Sequence, residues 1–165
     1  MGSMGFTNGE IVQIAHVVWN IDKKIEFYWN TLGIGPWEIY TLKPPLLRES
    51  LVNGISSDHT YIIALAKREN LQFELIQPLT GKSIYDDFLK IKGEGLHHIK
   101  FYHDDCQKAI EEYKKKGFKV IQSGKIDDDE FYYLNTYPKL DYVIELGNNG
   151  TIREPERVFP NSFTP

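Results

Sequence analysis

The chain has little sulfur: one cysteine, Cys106, and two methionines among 165 residues. A single thiol cannot close an intramolecular disulfide, and it excludes a multi-thiolate zinc site within one chain. It fits a reducing compartment. No apolar run approaches the ~20 residues that span a bilayer. The N-terminus has no apolar signal-peptide core, and Met1-Gly2-Ser3-Met4 reads as a cloning remnant, so the cytoplasm is the expected location. A positive charge excess is lacking too. With 19 Lys and Arg against 23 Asp and Glu, the chain has no basic stripe to displace counterions from nucleic acid. Its densest basic run, Lys114-Lys115-Lys116, falls at the end of an expected helix, where it meets the negative end of the helix dipole.

What the chain does have is an internal repeat. Ile14-Ala15-His16-Val17-Val18 reads as a buried strand, with Asp22 six residues past the histidine and a helix running to Gly33. Leu96-His97-His98-Ile99-Lys100, 82 positions on, is followed by Asp104 and a helix to Gly117. Further strands are expected at 37–42, 61–66 and 71–76 in the first half, and at 118–122, 130–136 and 142–146 in the second. Each half is therefore β-α-β-β-β. The expected fold is α+β: two tandem modules, residues 9–80 and 93–147, forming a curved mixed sheet around a cavity, within a single domain spanning 1–147. Residues 46–58 are expected to be a mobile connection, 85–89 a short helical turn, and 148–165 an irregular tail carrying Pro155, Pro160 and Pro165.

Each half also ends in a strand with a glutamate among apolar neighbours, Phe73-Glu74-Leu75-Ile76 and Val143-Ile144-Glu145-Leu146. A buried carboxylate alone is costly, so two of them need partners. One divalent cation held by two neutral imidazoles and two carboxylates satisfies both, and that donor set suits zinc, nickel, cobalt, manganese or iron. His16, Glu74, His98 and Glu145 are the candidate ligands. Against this stands the plainer alternative for any one of them: a lone strand histidine is commonly a hydrogen-bonded core residue. His97 competes with His98 for the inward position, and aligning the repeats on their histidines sets His98 against His16. His59 and His103 are expected to be solvated.

These pieces, together with Phe27-Tyr28 before Leu32-Gly33, Gln77-Pro78-Leu79 and Gly93-Glu94-Gly95, resemble the vicinal oxygen chelate superfamily over about residues 11–147. The resemblance leans towards its methylmalonyl-CoA epimerase branch, with glyoxalase I more distant. It implies the same four metal ligands and a divalent-metal isomerase or epimerase that moves a proton next to a carbonyl through a stabilised enolate. The implied general base is Glu145 first and Glu74 second. The substrate would be a small carbonyl compound or an acyl thioester such as methylmalonyl-CoA. The strand 61–66 lacks the second acid that epimerases can carry, and only Glu49 or Asp58 could supply it by folding over the cavity. Lactoylglutathione lyase (glyoxalase I), a metal-free binding protein of the bleomycin-resistance type and a ring-cleaving dioxygenase are the alternatives. Exposed strand edges make a homodimer the expected assembly.

Overall fold

The protein is described by a computed structural model covering residues 5–161. Strand β1 (Ile11–Val17) runs into helix α1 (Ile21–Phe27), which continues as a π-helical turn over Tyr28–Leu32. Asn20 starts this helix by accepting the Lys23 backbone N–H, and Gly33 stops it in the left-handed conformation at φ 63°. There follow β2 (Trp37–Leu42), β3 (Leu47–Val52), β4 (Ile55–Ser56), β5 (Thr60–Arg68), β6 (Leu71–Thr80) and α2 (Ile84–Lys92). The second half contains β7 (Gly95–Tyr102), α3 (Cys106–Lys115), β8 (Val120–Ile126), β9 (Asp129–Leu134), α4 (Tyr137–Leu140), β10 (Val143–Gly147) and β11 (Arg157–Phe159).

All strands join one sheet in the order β11-β2-β5-β6-β1-β7-β10-β9-β8-β3-β4. Its centre is the antiparallel pair β1–β7, flanked by β6 parallel to β1 and β10 parallel to β7. The halves β2-β5-β6-β1 and β7-β10-β9-β8 are thus related by a pseudo-twofold axis between β1 and β7, giving the α+β fold of two βαβββ modules that the sequence predicts. The sheet curls until its distant strands touch. Tyr40, Leu42, Tyr61 and Ile63 share one buried cluster with Leu47, Ile126, Phe131 and Tyr133. Ile21 and Ile25 of α1 pack on the convex face of module one against Trp37, Ile39 and Leu75, and each fully buried aliphatic side chain contributes roughly 1.5–3 kcal/mol. Ala109 of α3 does the same for module two against Leu134, Ile144 and Leu146.

Three segments differ from expectation. Residues 46–58 are not a loose connection but the β3–β4 hairpin, and β3 pairs with β8. The chain therefore steps from the module-one edge of the sheet to the module-two edge and closes the half-barrel. One face of β3 is solvated, so its polar residues hide the strand from a hydrophobic-pattern reading. The linker helix α2 is longer than a single turn, capped by Ser83, and its Tyr85 and Leu89 plug one end of the barrel. The tail is irregular over 148–156 but ordered as a strap, and then forms β11. Asn148, Gly150 and Arg153 bond to the Asp127–Glu130 turn, the Tyr40 hydroxyl donates to the Arg153 carbonyl, and β11 pairs with β2. Among the described residues, no helix is long and apolar enough to cross a membrane.

The strap is held by close backbone approach at Gly150, where a Cβ would run into the Asp128 carbonyl. Gly150→Ala is expected to cost about 1–3 kcal/mol by overpacking. Urea denaturation checks this, and an unchanged midpoint would show that the strap does not brace the barrel.

Candidate metal centre

Backbone register decides which residues meet inside the barrel. Along β1–β6, Gln13 pairs with Gln72 and Ala15 with Glu74; along β7–β10, His98 pairs with Val143 and Lys100 with Glu145. Glu74 and Glu145 are therefore equivalent, and Gln13 is the counterpart of His98, as Ala15 is of Lys100. These strands repeat at an offset of 85 positions, the same as the helix N-caps Asn20 and Asp105. Aligning the histidines gives 82. The difference of three is odd, and an odd slip turns every side chain to the other face of a strand.

His16 accordingly points away from the cavity, correcting its expected place in the ligand set. It lies against α1, with Nδ1 3.2 Å from the Tyr28 hydroxyl, beside Lys24 and Glu94. The other three expected ligands converge. One ligating atom from each of Glu74, His98 and Glu145 lies within 4.8 Å of the others, and all three residues are buried. The His98 Nε2–H is shared between Glu74 Oε2 at 3.1 Å and Glu145 Oε2 at 3.0 Å. Gln13 takes the fourth position. With its amide nitrogen turned to the carboxylates it donates to Glu74 Oε2 at 3.2 Å and Glu145 Oε2 at 3.0 Å; the opposite orientation sets its oxygen against those two acceptors with only the His98 Nε2–H, at 3.3 Å, as donor.

His97 serves His98. The β1–β7 register shifts between Ala15 and His16, where β7 carries an extra residue, and this puts both imidazoles inside. His97 Nδ1 lies 2.8 Å from His98 Nδ1, and its ring is enclosed by Tyr85, Phe88 and Tyr133. Burial, reinforced by the nearby His98 charge, pushes the His97 pKa well below its usual value, so it is neutral and accepts the His98 Nδ1–H. That contact fixes the ring and aims Nε2 at the carboxylates.

The electrostatics of the cluster are asymmetric. Burial alone would lower the His98 pKa, but the charges and hydrogen bonds of Glu145 and Glu74 outweigh it and raise it to about 9. Burial pushes the Glu74 carboxyl up, and the His98 contact offsets only part of this. Glu145 is equally buried, yet Lys100 and His98 together hold it below the usual carboxylate range. Farther along the same wall, burial pushes the Asp129 carboxyl up to about 6 despite the opposing Lys100 charge.

The cavity of about 250 Å³ is walled by Tyr61, Tyr85, Tyr133, Phe131 and Ile63, with the strap residues Asn149, Gly150 and Ile152 over it. The Tyr85 and Tyr133 hydroxyls are 2.7 Å apart. Neither Glu49 nor Asp58 lines it: Glu49 pairs at 2.9 Å with Lys125 on the outside, and Asp58 is exposed. His59, expected to be solvated, is buried with Nδ1 3.1 Å from Ser57 Oγ, and His103 is half-buried. The sequence reading missed Gln13, Lys100 and Asp129. Aligning the repeats on their helix caps would have found Gln13 and Lys100; Asp129 hides in an acidic run that reads as a turn.

Residues 12–133 match the model of the Glyoxalase/Bleomycin resistance protein/Dioxygenase superfamily. The chain belongs to that superfamily. Solved structures of glyoxalase-like fold resemble it over most of its length. A hypothetical protein, BH1468, from Bacillus halodurans C-125 matches at TM-score 0.65 and 20% identity, covering 88% of this chain and 97% of the other. The methylmalonyl-CoA epimerase of Mycobacterium tuberculosis matches at TM-score 0.63 and 17% identity, over 90% of this chain and 92% of its own. That of Streptomyces coelicolor, in complex with 2-nitronate-propionyl-CoA, matches at 0.64 and 20%, over 90% and 100%. At these identities the likeness is one of fold. A curated relative, the uncharacterized protein YqjC of Bacillus subtilis (strain 168), is 34% identical over 88 residues, and the chain spans about half its length.

For this glyoxalase-superfamily chain in metal-free form, the His98 pKa predicts a pH dependence. Its folded value near 9 exceeds the unfolded 6.5, so its stabilisation is complete below pH 6.5 and is lost as pH rises through about 9. The loss is on the order of 3 kcal/mol. Denaturant titration of chelator-treated protein checks it, with imidazole NMR following the same midpoint; an imidazole titrating near 6.5 contradicts the ion-paired cluster.

Proposed function

We propose that the protein is a divalent-metal-dependent enzyme that moves a proton on a carbon next to a carbonyl, an isomerase or epimerase of small acyl compounds. The observation that carries this reading is the buried convergence of Glu74, His98 and Glu145 on one point beside the cavity. The residues fit a cation. Two carboxylates and one oriented imidazole Nε2 supply three donors, and the Gln13 amide can present its oxygen as a fourth by rotating the group that now bonds the carboxylates. Gln13, Glu74, His98 and Glu145 would hold the ion, which supplies Lewis-acid polarisation of the substrate oxygen.

The remaining chemistry belongs to the chain. Glu74 is the better proton acceptor of the pair, a revision of the expected preference for Glu145. Its register neighbour across the strands is the small Ala15, whereas that of Glu145 is the cationic Lys100. Its carboxyl is the more basic of the two, because burial raises it and Lys100 counters that burial less than it does at Glu145. Glu74 takes the proton from the substrate carbon at a carboxylate oxygen and returns it to the other face or to a neighbouring carbon. The plug of α2 and the strap keep water out during the transfer. No carboxylate lies on β5, so one base serves both directions. The methylmalonyl-CoA epimerases of similar fold support an acyl thioester as substrate.

A metal-free binding protein is a second reading with its own observation. The cationic His98 and Lys100 already balance Glu74 and Glu145, so the cluster is charge-compensated as it stands. Metal analysis separates the two. We expect one divalent ion per chain, lost at least 100-fold in His98→Ala or Glu145→Gln and retained in His16→Ala. Deuterium exchange at the α-carbon of methylmalonyl-CoA is the matching activity assay. There Glu74→Gln is expected to lower kcat by ~10²–10⁴. Wild-type protein that holds no ion and exchanges no deuterium contradicts the enzyme reading. We also propose a cytoplasmic homodimer, supported by the free buried Cys106 and by the exposed Phe27 and Leu32, which line one surface pocket; light scattering checks the assembly.

A further inference from the structure

Lys100 biases the two carboxylates but touches no substrate atom in the chemistry above, yet it is built into the cavity. It lies two residues along β7 from His98, on the same inward face and nearer the mouth, where Gln72 and Lys67 also line the wall. Its side chain is 7% exposed. Gly147 on β10 makes room for it: a Cβ there would collide with the Lys100 Cε. The nearest carboxylate oxygen, Asp129 Oδ1, is 3.7 Å from Nζ, an ion pair too long for a hydrogen bond. Among the described residues, no acceptor takes a hydrogen bond from this ammonium, which lines the cavity with its donors free. On the facing module its register partner is the neutral Gln13, which lines the same cavity with Gln72.

An ammonium that faces a cavity and is hydrogen-bonded to no protein acceptor is arranged for an anion. We propose that Lys100 is a substrate-binding residue that makes the cavity selective for small molecules whose carboxylate is bonded to the reacting carbonyl or one carbon away from it, of the 2-oxo or malonyl type. The carboxylate takes the Lys100 donors, and the carbonyl reaches on to the Glu74–His98–Glu145 centre. The proposal deepens the proton-transfer reading and rests on it for the second contact only.

Calorimetric titration tests it with malonate and its neutral analogue malonamide, on chelated and on zinc-loaded protein. Wild type is expected to bind malonate at least tenfold more tightly than malonamide. Lys100→Met and Lys100→Gln lose that preference, and Lys100→Arg keeps part of it. Gly147→Ala, which displaces the lysine without removing its charge, behaves like Lys100→Met. Zinc uptake in Lys100→Met is undiminished, because the variant removes a like charge and no ligand. Wild type that does not bind malonate, or a folded Lys100→Gln that binds it as wild type does, overturns the proposal. Lys100-dependent malonate binding by protein that takes up no zinc would end the metal reading and leave this one standing; zinc uptake with malonate binding indifferent to Lys100 would do the reverse.

Discussion

Two glutamates face one another inside an apolar barrel, and the rest of the molecule is arranged around that repulsion. Glu74 and Glu145 each place a carboxylate oxygen within about 3 Å of the same imidazole nitrogen. Like charges at that separation in a medium of low dielectric oppose folding strongly unless positive charge lies between them. His98 supplies it, held by the His97 contact, while the Gln13 amide bridges the same oxygens and Lys100 stands beside Glu145. The antiparallel β1–β7 pair at the centre of the sheet is what makes the meeting possible, since it brings the flanking β6 and β10 to either side of one axis.

Duplication built this site, and divergence made it one-sided. Gln13 opposes His98, and Ala15 opposes Lys100, so a twofold scaffold carries a centre with one imidazole and one ammonium, both on module two. The cavity wall is therefore asymmetric: His98 and Lys100 on module two, and the more basic carboxylate, Glu74, on module one. Closure is asymmetric as well. Helix α2 plugs one end, and the crossing from β2 to β3 with the C-terminal strap seals the open side, leaving the approach past Lys67, Asn70 and Gln72.

Much of this is legible in the residues. The paired βαβββ modules follow from apolar strand runs and from helix caps such as Asn20 and Gly33, because local chemistry dictates them. Glu74, His98 and Glu145 stand out because ionisable side chains among β-branched neighbours demand an explanation. His16 demanded one too, and its actual partner is Tyr28. Which face a strand residue takes depends on register, a property of pairing between distant strands, and a three-residue misalignment was enough to reverse it. Gln13 carries no charge, and Lys100, though strand alternation sets it on the face of His98, carries no ligand signature, so neither announces itself as part of the site. The β3–β4 hairpin is polar on its outer face and becomes a strand only through β8.

The claim that the facing carboxylates are a cation centre is tested most directly by diffraction from crystals grown with cobalt(II), recorded at the metal absorption edge. The account predicts one anomalous peak per chain, within bonding distance of Glu74, His98 Nε2, Glu145 and the Gln13 amide oxygen, with the Gln13 amide turned from its metal-free orientation. A cavity without a peak, or a peak at His16 on the convex face, would contradict it.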